Sequence, residues 1–245
     1  MGQSYFIWNG IDCRSRGVIM RGPAPIIRAE ERVRHVELPG IAGDLTETEG
    51  KDIYNSYIQT VSISVRGALN VRNIYRWLRG SGYVTFSAEP DRRQAARVIG
   101  AITLNRVSRN IDHWAGEVQF YCQPLKELLR AETVTVTGSG STARNNGDVI
   151  CKPVYKVTVA SGKTSISLAA AGAETPEDNA IAVTGLSGGS VIWIDTNTME
   201  VWNADRSALL TKNSTGEFPV MSPGANTITG SNWSSIEIEK RERFL

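Results

Sequence analysis

Apolar and polar residues alternate with a period of two through most of this chain, and one stretch, between Tyr57 and Leu104, also carries a convincing helical spacing. From Tyr57 to Val65, the residues Tyr57, Val61, Ile63 and Val65 point one way while Thr60, Ser62, Ser64 and Arg66 point the other, which predicts a half-buried strand. Val71, Ile74, Tyr75 and Leu78 then fall at i, i+3, i+4 and i+7, with Arg72, Arg76 and Arg79 facing outward. Asn70 is the expected N-cap and Gly80 the left-handed residue beyond the C-terminus. A helix of about ten residues is shorter than the roughly 12–15 needed for stability alone in water, so it must be held by packing on a sheet. Tyr83 to Ser87 and Ala95 to Leu104 supply further strands, the second expected to be deeply buried because it is apolar on both faces.

Before that unit, Ser4 to Trp8 reads as a short aromatic strand. Asn9-Gly10 is a type I′ hairpin signal leading into Ile11 to Met20. Arg32 to Leu38 is a further strand ended by Pro39-Gly40. Ile41 to Asp52 is polar, acidic and bounded by glycine, which predicts a hairpin tip or arm reaching toward a neighbouring subunit. After it, Trp114 to Cys122 forms a strand and Gln123 to Leu129 a helical turn that closes the first domain. The remainder is expected to be β throughout. Thr133 to Thr137 alternates, Gly138 to Gly147 is rich in turn residues, and six short strands follow at sandwich-like spacing: Pro153 to Ala160, Lys163 to Leu168, Asn179 to Thr184, Val191 to Asp195, Met199 to Asn203 and Ser234 to Glu239. No internal repeat or heptad pattern is visible.

With 245 residues the chain has room for two domains, 1–131 and 132–245. Charge separates them. The first part holds 18 Lys and Arg against 13 Asp and Glu, the second 9 against 12, giving +5 and −3. Sixteen of the 18 are Arg, whose planar fork suits ion pairs across interfaces. An excess of five charges is small beside the basic stripe of a dedicated nucleic-acid binder, so a subunit interface is the favoured reading. No run approaches 18 apolar residues and the N-terminus lacks the pattern of a signal peptide, which leads to an expectation of synthesis in the cytoplasm and no membrane partner. Cys13, Cys122 and Cys151 are expected to be buried free thiols, since their number and spacing suit neither a disulfide framework nor zinc.

Catalytic patterns fail in detail. Gly162-Lys163-Thr164 resembles the end of a phosphate-binding loop, but Val157 stands where the first glycine belongs, and strands flank it on both sides. Asp195, Asn197 and Asn203 imitate a calcium loop, with Glu200 at the glycine position and Arg206 at the closing carboxylate. His35 and His113 have no second histidine at a ligating distance, no nucleophile is marked, and no carboxylate pair stands out. The expectation is no enzyme, no cofactor and no metal. Trp193 lies among Val191, Ile192 and Ile194 and is expected in the core. Trp202 and Trp233 border Asn203 and Asn232 in turns and are candidate platforms for a sugar ring. Asn213-Ser214-Thr215 and Asn232-Trp233-Ser234 match the glycosylation acceptor pattern, which carries little weight without a signal peptide.

An ordered series of motifs resembles the distal tail proteins of long-tailed phages and prophages. It begins with FIWNGIDCRSRGVI (Phe6 to Ile19) and continues with Val61 to Gly67, the helix ending Tyr75-Arg76-Trp77-Leu78, and Thr85 to Arg92. It closes with Asn146-Gly147-Asp148 and Lys152-Pro153, Ile194 to Thr196 before Val201-Trp202-Asn203, Gly216 to Pro219, and Ser222 to Asn226. The resemblance implies a mainly β protein: an N-terminal tail-tube-like β-sandwich with one α-helix, and a C-terminal galectin-like β-sandwich. It also implies a homohexameric ring formed by the N-terminal domains, located at the virion tail tip. The implied partners are the tail tube protein, the tail-associated hub protein and, as a further candidate, a receptor-binding protein. DNA would pass through the lumen without specific binding. On this reading Asp44, Glu47, Glu49, Arg72, Arg76 and Arg79 are the candidate subunit-interface residues. The alternative is a carbohydrate-binding module attaching to host cell-wall sugars through Trp202 and Trp233.

Overall fold

The computed structural model describes residues 4–40, 42–48, 50–109 and 111–245, the side chain of Leu69 excepted. The chain forms two compact units, one running to Leu129 and taking in Leu245, the other spanning Arg130–Phe244. Each has its own hydrophobic core. Both are mainly β, and the described residues contain one α-helix.

In the first unit the strands are β1 (Phe6–Trp8), β2 (Ile11–Asp12), β3 (Val18–Met20), β4 (Val33–Glu37), β5 (Asp44–Thr48), β6 (Tyr57–Arg66), β7 (Ser81–Phe86), β8 (Arg92–Ile99), β9 (Leu104–Ser108) and β10 (Ile111–Leu128), with α1 (Ala68–Trp77) after β6. The sheet order is β2–β1–β7–β8–β10–β6–β3, antiparallel at each pairing, and β9 pairs with the first part of β10. Asn9 and Gly10 take φ of 50° and 78°, the double left-handed turn expected between β1 and β2. The Asn9 side chain then lies over Gly82, where any Cβ would collide with it, and its Oδ1 accepts the Tyr83 N–H at 2.9 Å. Ile11 to Met20 is not one strand. A 3₁₀ turn, Cys13–Arg16, interrupts it, because Asp12 accepts the Arg14 N–H and stops the pairing.

The alternation over Tyr57–Val65 holds, with Val61, Ile63 and Val65 buried. The helix holds in position but not in its details. Ile74 and Leu78 are buried while Tyr75 is exposed, and Trp77 takes its place against the sheet, stacked on Phe6 at 5.7 Å. Phe6, Trp8 and Phe86 all close on Phe120 at 5.5–5.9 Å, so one aromatic cluster centres this core. Asn70 is not the N-cap. Its amide donates to the Arg66 carbonyl, and the cap is supplied from β10 by Asp112, whose Oδ2 accepts the Ala68 N–H at 3.0 Å. Ala95 to Leu104 is not one buried strand either: the left-handed Gly100 breaks it into β8 and β9, and Arg97 is exposed. Gln123 to Leu129 forms no helical turn. A bulge between Cys122 and Lys126 absorbs Pro124 and lets β10 run on as an 18-residue strand.

The second unit contains β11 (Glu132–Val136), β12 (Ser141–Asn145), β13 (Val154–Val159), β14 (Ser165–Ala171), β15 (Ala180–Thr184), β16 (Val191–Asp195), β17 (Glu200–Asn203), β18 (Ser214–Gly216), β19 (Gly224–Ser231) and β20 (Trp233–Lys240). Two five-stranded sheets, β11–β20–β13–β16–β17 and β12–β19–β14–β15–β18, enclose one core. Tyr155, Val157, Ile192, Ile194, Val201, Ile236 and Ile238 from the first meet Ile166, Leu168, Ala170, Ile181, Val183 and Ile228 from the second. Each such Val, Leu or Ile side chain contributes about 1.5–3 kcal/mol by leaving water. Three strands escape a reading of the alternation. β12 lies inside the turn-rich Gly138 to Gly147, β18 is three residues long, and β19 contains three glycines or serines in its last three-residue run and at its start. Buried asparagines replace regular pairing at the loops. Asn145 donates to Val149 and Met221 carbonyls, Asn179 bridges Ala170 and Val220, and Asn226 binds the backbone of Ser222.

Candidate assembly surfaces

β4 and β5 form a two-stranded ribbon that, among the described residues, pairs with no further strand. It therefore begins before the predicted Ile41 to Asp52 arm, at Val33, with its base held by the Arg32 N–H to the Ile53 carbonyl and the Asn55 N–H to the Glu30 carbonyl. All five residues of β5 are exposed, Leu45 at 49%. A bare two-stranded ribbon is marginal in water. Register sets its chemistry. Arg34 faces Glu47, and Val36 faces Leu45, on one side; Glu37 faces Asp44, and His35 faces Thr46, on the other. The candidate interface acids Asp44 and Glu47 thus point to opposite faces, and Glu49 lies outside the described residues. Glu37, which the sequence reading passed over, is the true neighbour of Asp44: two like charges directly opposed cost about 0.2–1 kcal/mol. Together with Leu38, Pro39 and Gly43 they line a hollow of about 350 Å³ at the ribbon's tip.

Arg72 and Arg76 on α1, and Arg79 two residues past its end, are exposed as expected, and among the described residues none of the three makes an ion pair. Arg72 and Arg76 stand four apart, a like-charge spacing that costs the helix about 0.2–0.5 kcal/mol. Opposing this, Asp112 secures the helix start from outside. Its carboxyl is held below the usual range by the Trp114 indole N–H and the Ala68 N–H.

The outward side of the first unit's sheet carries apolar groups as well. Ile58, 50% exposed, sits directly across from Tyr121, which sits across from Arg97; Tyr83 lies beneath the Arg93 guanidinium at 4.4 Å. Val107 and Ile111, where β9 turns into β10, are exposed too.

In the second unit the tryptophans exchange the places expected of them. Trp233, a candidate sugar platform, is only 9% exposed and belongs to the core. Trp193, expected in the core, points outward, because Ile192 and Ile194 on either side take the inward positions of β16. It faces Trp202 across the β16–β17 pairing, but the Arg206 guanidinium covers its ring at 4.0 Å, and the Trp202 indole is tied to Glu200 at 3.3 Å. The guanidinium occupies a face of Trp193 on which a sugar would stack, whereas the bond to Glu200 lies at the edge of the Trp202 ring.

Cys13, Cys122 and Cys151 are buried and unpaired, and burial pushes the Cys122 and Cys151 thiols up to about 12. Gly162 and Lys163 form a turn closed by the Lys163 N–H to the Ala160 carbonyl, and Asp195 accepts the Asn197 and Thr198 N–H groups in another. Among the described residues no three His, Cys, Asp or Glu side chains converge as metal ligands, and no helix is long and apolar enough to cross a membrane.

The chain matches no family model and, in sequence, no curated protein. In structure it is similar to the SPP1 Dit protein, described as a paradigm of the hub adsorption apparatus in phages that infect Gram-positive hosts. The TM-score is 0.82 over 100% of both chains at 16% identity. It is also similar to chains of the phage P2 baseplate in its activated conformation. The calcium form gives a TM-score of 0.53 at 9% identity over 99% of this chain and 98% of that one, and the strontium form 0.50 at 10% over 98% and 97%. At such identities the likeness establishes a shared fold, that of the distal tail protein, along the whole chain.

Proposed function

We propose that this protein is a distal tail protein of a long-tailed phage or prophage: a structural subunit, six copies of which form a ring joining the tail tube to the tail tip. The observation that carries this is the agreement of both units, end to end, with the SPP1 Dit protein. The motif series in the sequence supports it independently. In this role the N-terminal unit makes the ring, stacking on the tail tube protein on one side and seating the hub protein on the other, while DNA crosses the lumen without sequence-specific contacts. The acidic ribbon, the arginines of α1 and the uncovered apolar side chains of the first unit are what a subunit needs for repeated contacts with identical neighbours. The function is mechanical, and the second unit is a docking lobe at the tail tip, where a receptor-binding protein is the partner to look for.

Negative-stain electron microscopy of the purified protein tests this. Annular particles with six-fold symmetry are expected at micromolar concentration, and a field of separate monomer-sized particles at every concentration, with the tube protein present or absent, would reject it.

A further inference from the structure

We infer that the tip of the β4–β5 ribbon docks on the outward face of α1 in a second copy of this chain, Glu37 and Asp44 receiving the guanidinium groups of Arg72, Arg76 and Arg79. The inference rests on the ring reading and names the contact that closes it.

Two elements of the first unit hold like charges together without compensation, and the signs are opposite. Glu37 faces Asp44 across the ribbon, and neither carboxylate has an ion-pair partner among the described residues. Arg72 and Arg76 stand one turn apart on α1, about 6 Å at 1.5 Å per residue, Arg79 follows just past its C-terminal end, and all three are exposed and equally unpaired among the described residues. Neither arrangement is favourable in the isolated chain. Brought together they neutralise one another, and a planar guanidinium fits a carboxylate pair with two parallel hydrogen bonds. The tip supplies room for such a group, since Glu37 and Asp44 open onto the hollow of about 350 Å³. Apolar contacts complete the match: Leu38, next to Glu37 at the tip, and Tyr75 on the helix are both exposed. The ribbon also lacks the stability to stand free, and a second copy would give it the third layer that strand pairs require. A contact between two different patches on identical subunits is heterologous, which is the kind that generates a ring.

Two variants test the pairing. One carries Glu37→Arg and Asp44→Arg; the other carries Arg72→Glu, Arg76→Glu and Arg79→Glu. All five positions are exposed, and circular dichroism checks that both variants melt as the wild type does. Should a reversed variant misfold, Glu37→Gln with Asp44→Asn, or Arg72→Gln with Arg76→Gln and Arg79→Gln, replaces it and is expected to weaken self-association in the same direction. In sedimentation velocity each reversed variant alone is expected to lose self-association by about tenfold or more, as interfaces do when paired charges are reversed. An equimolar mixture of the two should recover it, because a basic ribbon then meets an acidic helix and an acidic ribbon a basic helix, alternately around the ring. Recovery as dimers without closed rings would keep the docking and reject the six-fold reading. Variants that associate as the wild type does, or a mixture that gains nothing over its components, would overturn the docking whatever the wild type forms.

Discussion

The two halves of this protein treat their apolar residues differently. The second unit closes two sheets on one another, and of the large apolar side chains only Met199 and Leu209 remain well exposed there among the described residues. The first unit spreads a single sheet with one helix on it and leaves Ile26, Leu38, Leu45, Ile58, Tyr75, Tyr83, Val107, Ile111, Tyr121 and Leu129 in solvent. Single exposed apolar residues are ordinary, but ten of them on one unit against two on the other, among the described residues, is a difference that subunit contacts would account for. On the proposed reading, the second unit is finished by folding and the first by assembly.

Perturbing each core should give the largest effects, and equal ones. Phe120→Ala removes the centre of the first unit's aromatic cluster and is expected to cost about 3–5 kcal/mol. Ile238→Ala in the second should cost about 2–5 kcal/mol. Calorimetry should show each substitution lowering one transition. A single shared transition displaced by both would break the distinction between the units.

Lys240→Ala should cost nearly as much, about 3–5 kcal/mol, by stranding the buried Glu242. Lys240 is 2% exposed and donates to Glu132, Glu242 and the Arg144 carbonyl. Burial works to lower its pKa, and the bonds to Glu132 and Glu242 outweigh that and hold it above the ordinary 10.5. A raised pKa means the contribution is complete below 10.5 and is lost as pH climbs through the folded value. Denaturant midpoints of wild type and variant should therefore differ constantly near neutrality and converge only at strongly alkaline pH.

Smaller effects sharpen the contrast. Tyr155→Phe deletes the buried hydroxyl bond to the Pro219 carbonyl and should cost about 1 kcal/mol in urea unfolding. Ile58→Ser with Tyr121→Ser should cost the monomer no more than about 1 kcal/mol per site, for half-exposed side chains that pair across strands, while reducing association. Least of all should change on treating the folded protein with iodoacetamide at pH 8: the buried thiols stay unmodified, and all three react once guanidinium unfolds the chain.

How far the chain could be read ahead of its structure depended on the range of the interactions involved. The strand at Tyr57–Val65, the helix after it and the turn at Asn9-Gly10 are local patterns, and each stands where alternation, spacing or turn chemistry put it. Asp112 capping α1 from β10 is a contact across 44 residues, so no local pattern could prefer it to Asn70. Trp193 and Trp233 lie opposite to what their sequence neighbours suggest, because adjacent strand residues face opposite ways: buried Ile192 and Ile194 turn Trp193 outward, and exposed Ser234 turns Trp233 inward. The interface was half legible. Arg72 and Arg76 share a face by helical spacing alone, Arg79 falls past the end of the helix, and Glu37 joins Asp44 only once the ribbon's register is known.

Native mass spectrometry of the intact protein tests the ring most directly. A species of six times the chain mass, giving way to monomer as ionic strength rises, is the predicted result; a chain that stays monomeric at low salt and high concentration, alone and with the tube protein, would contradict it.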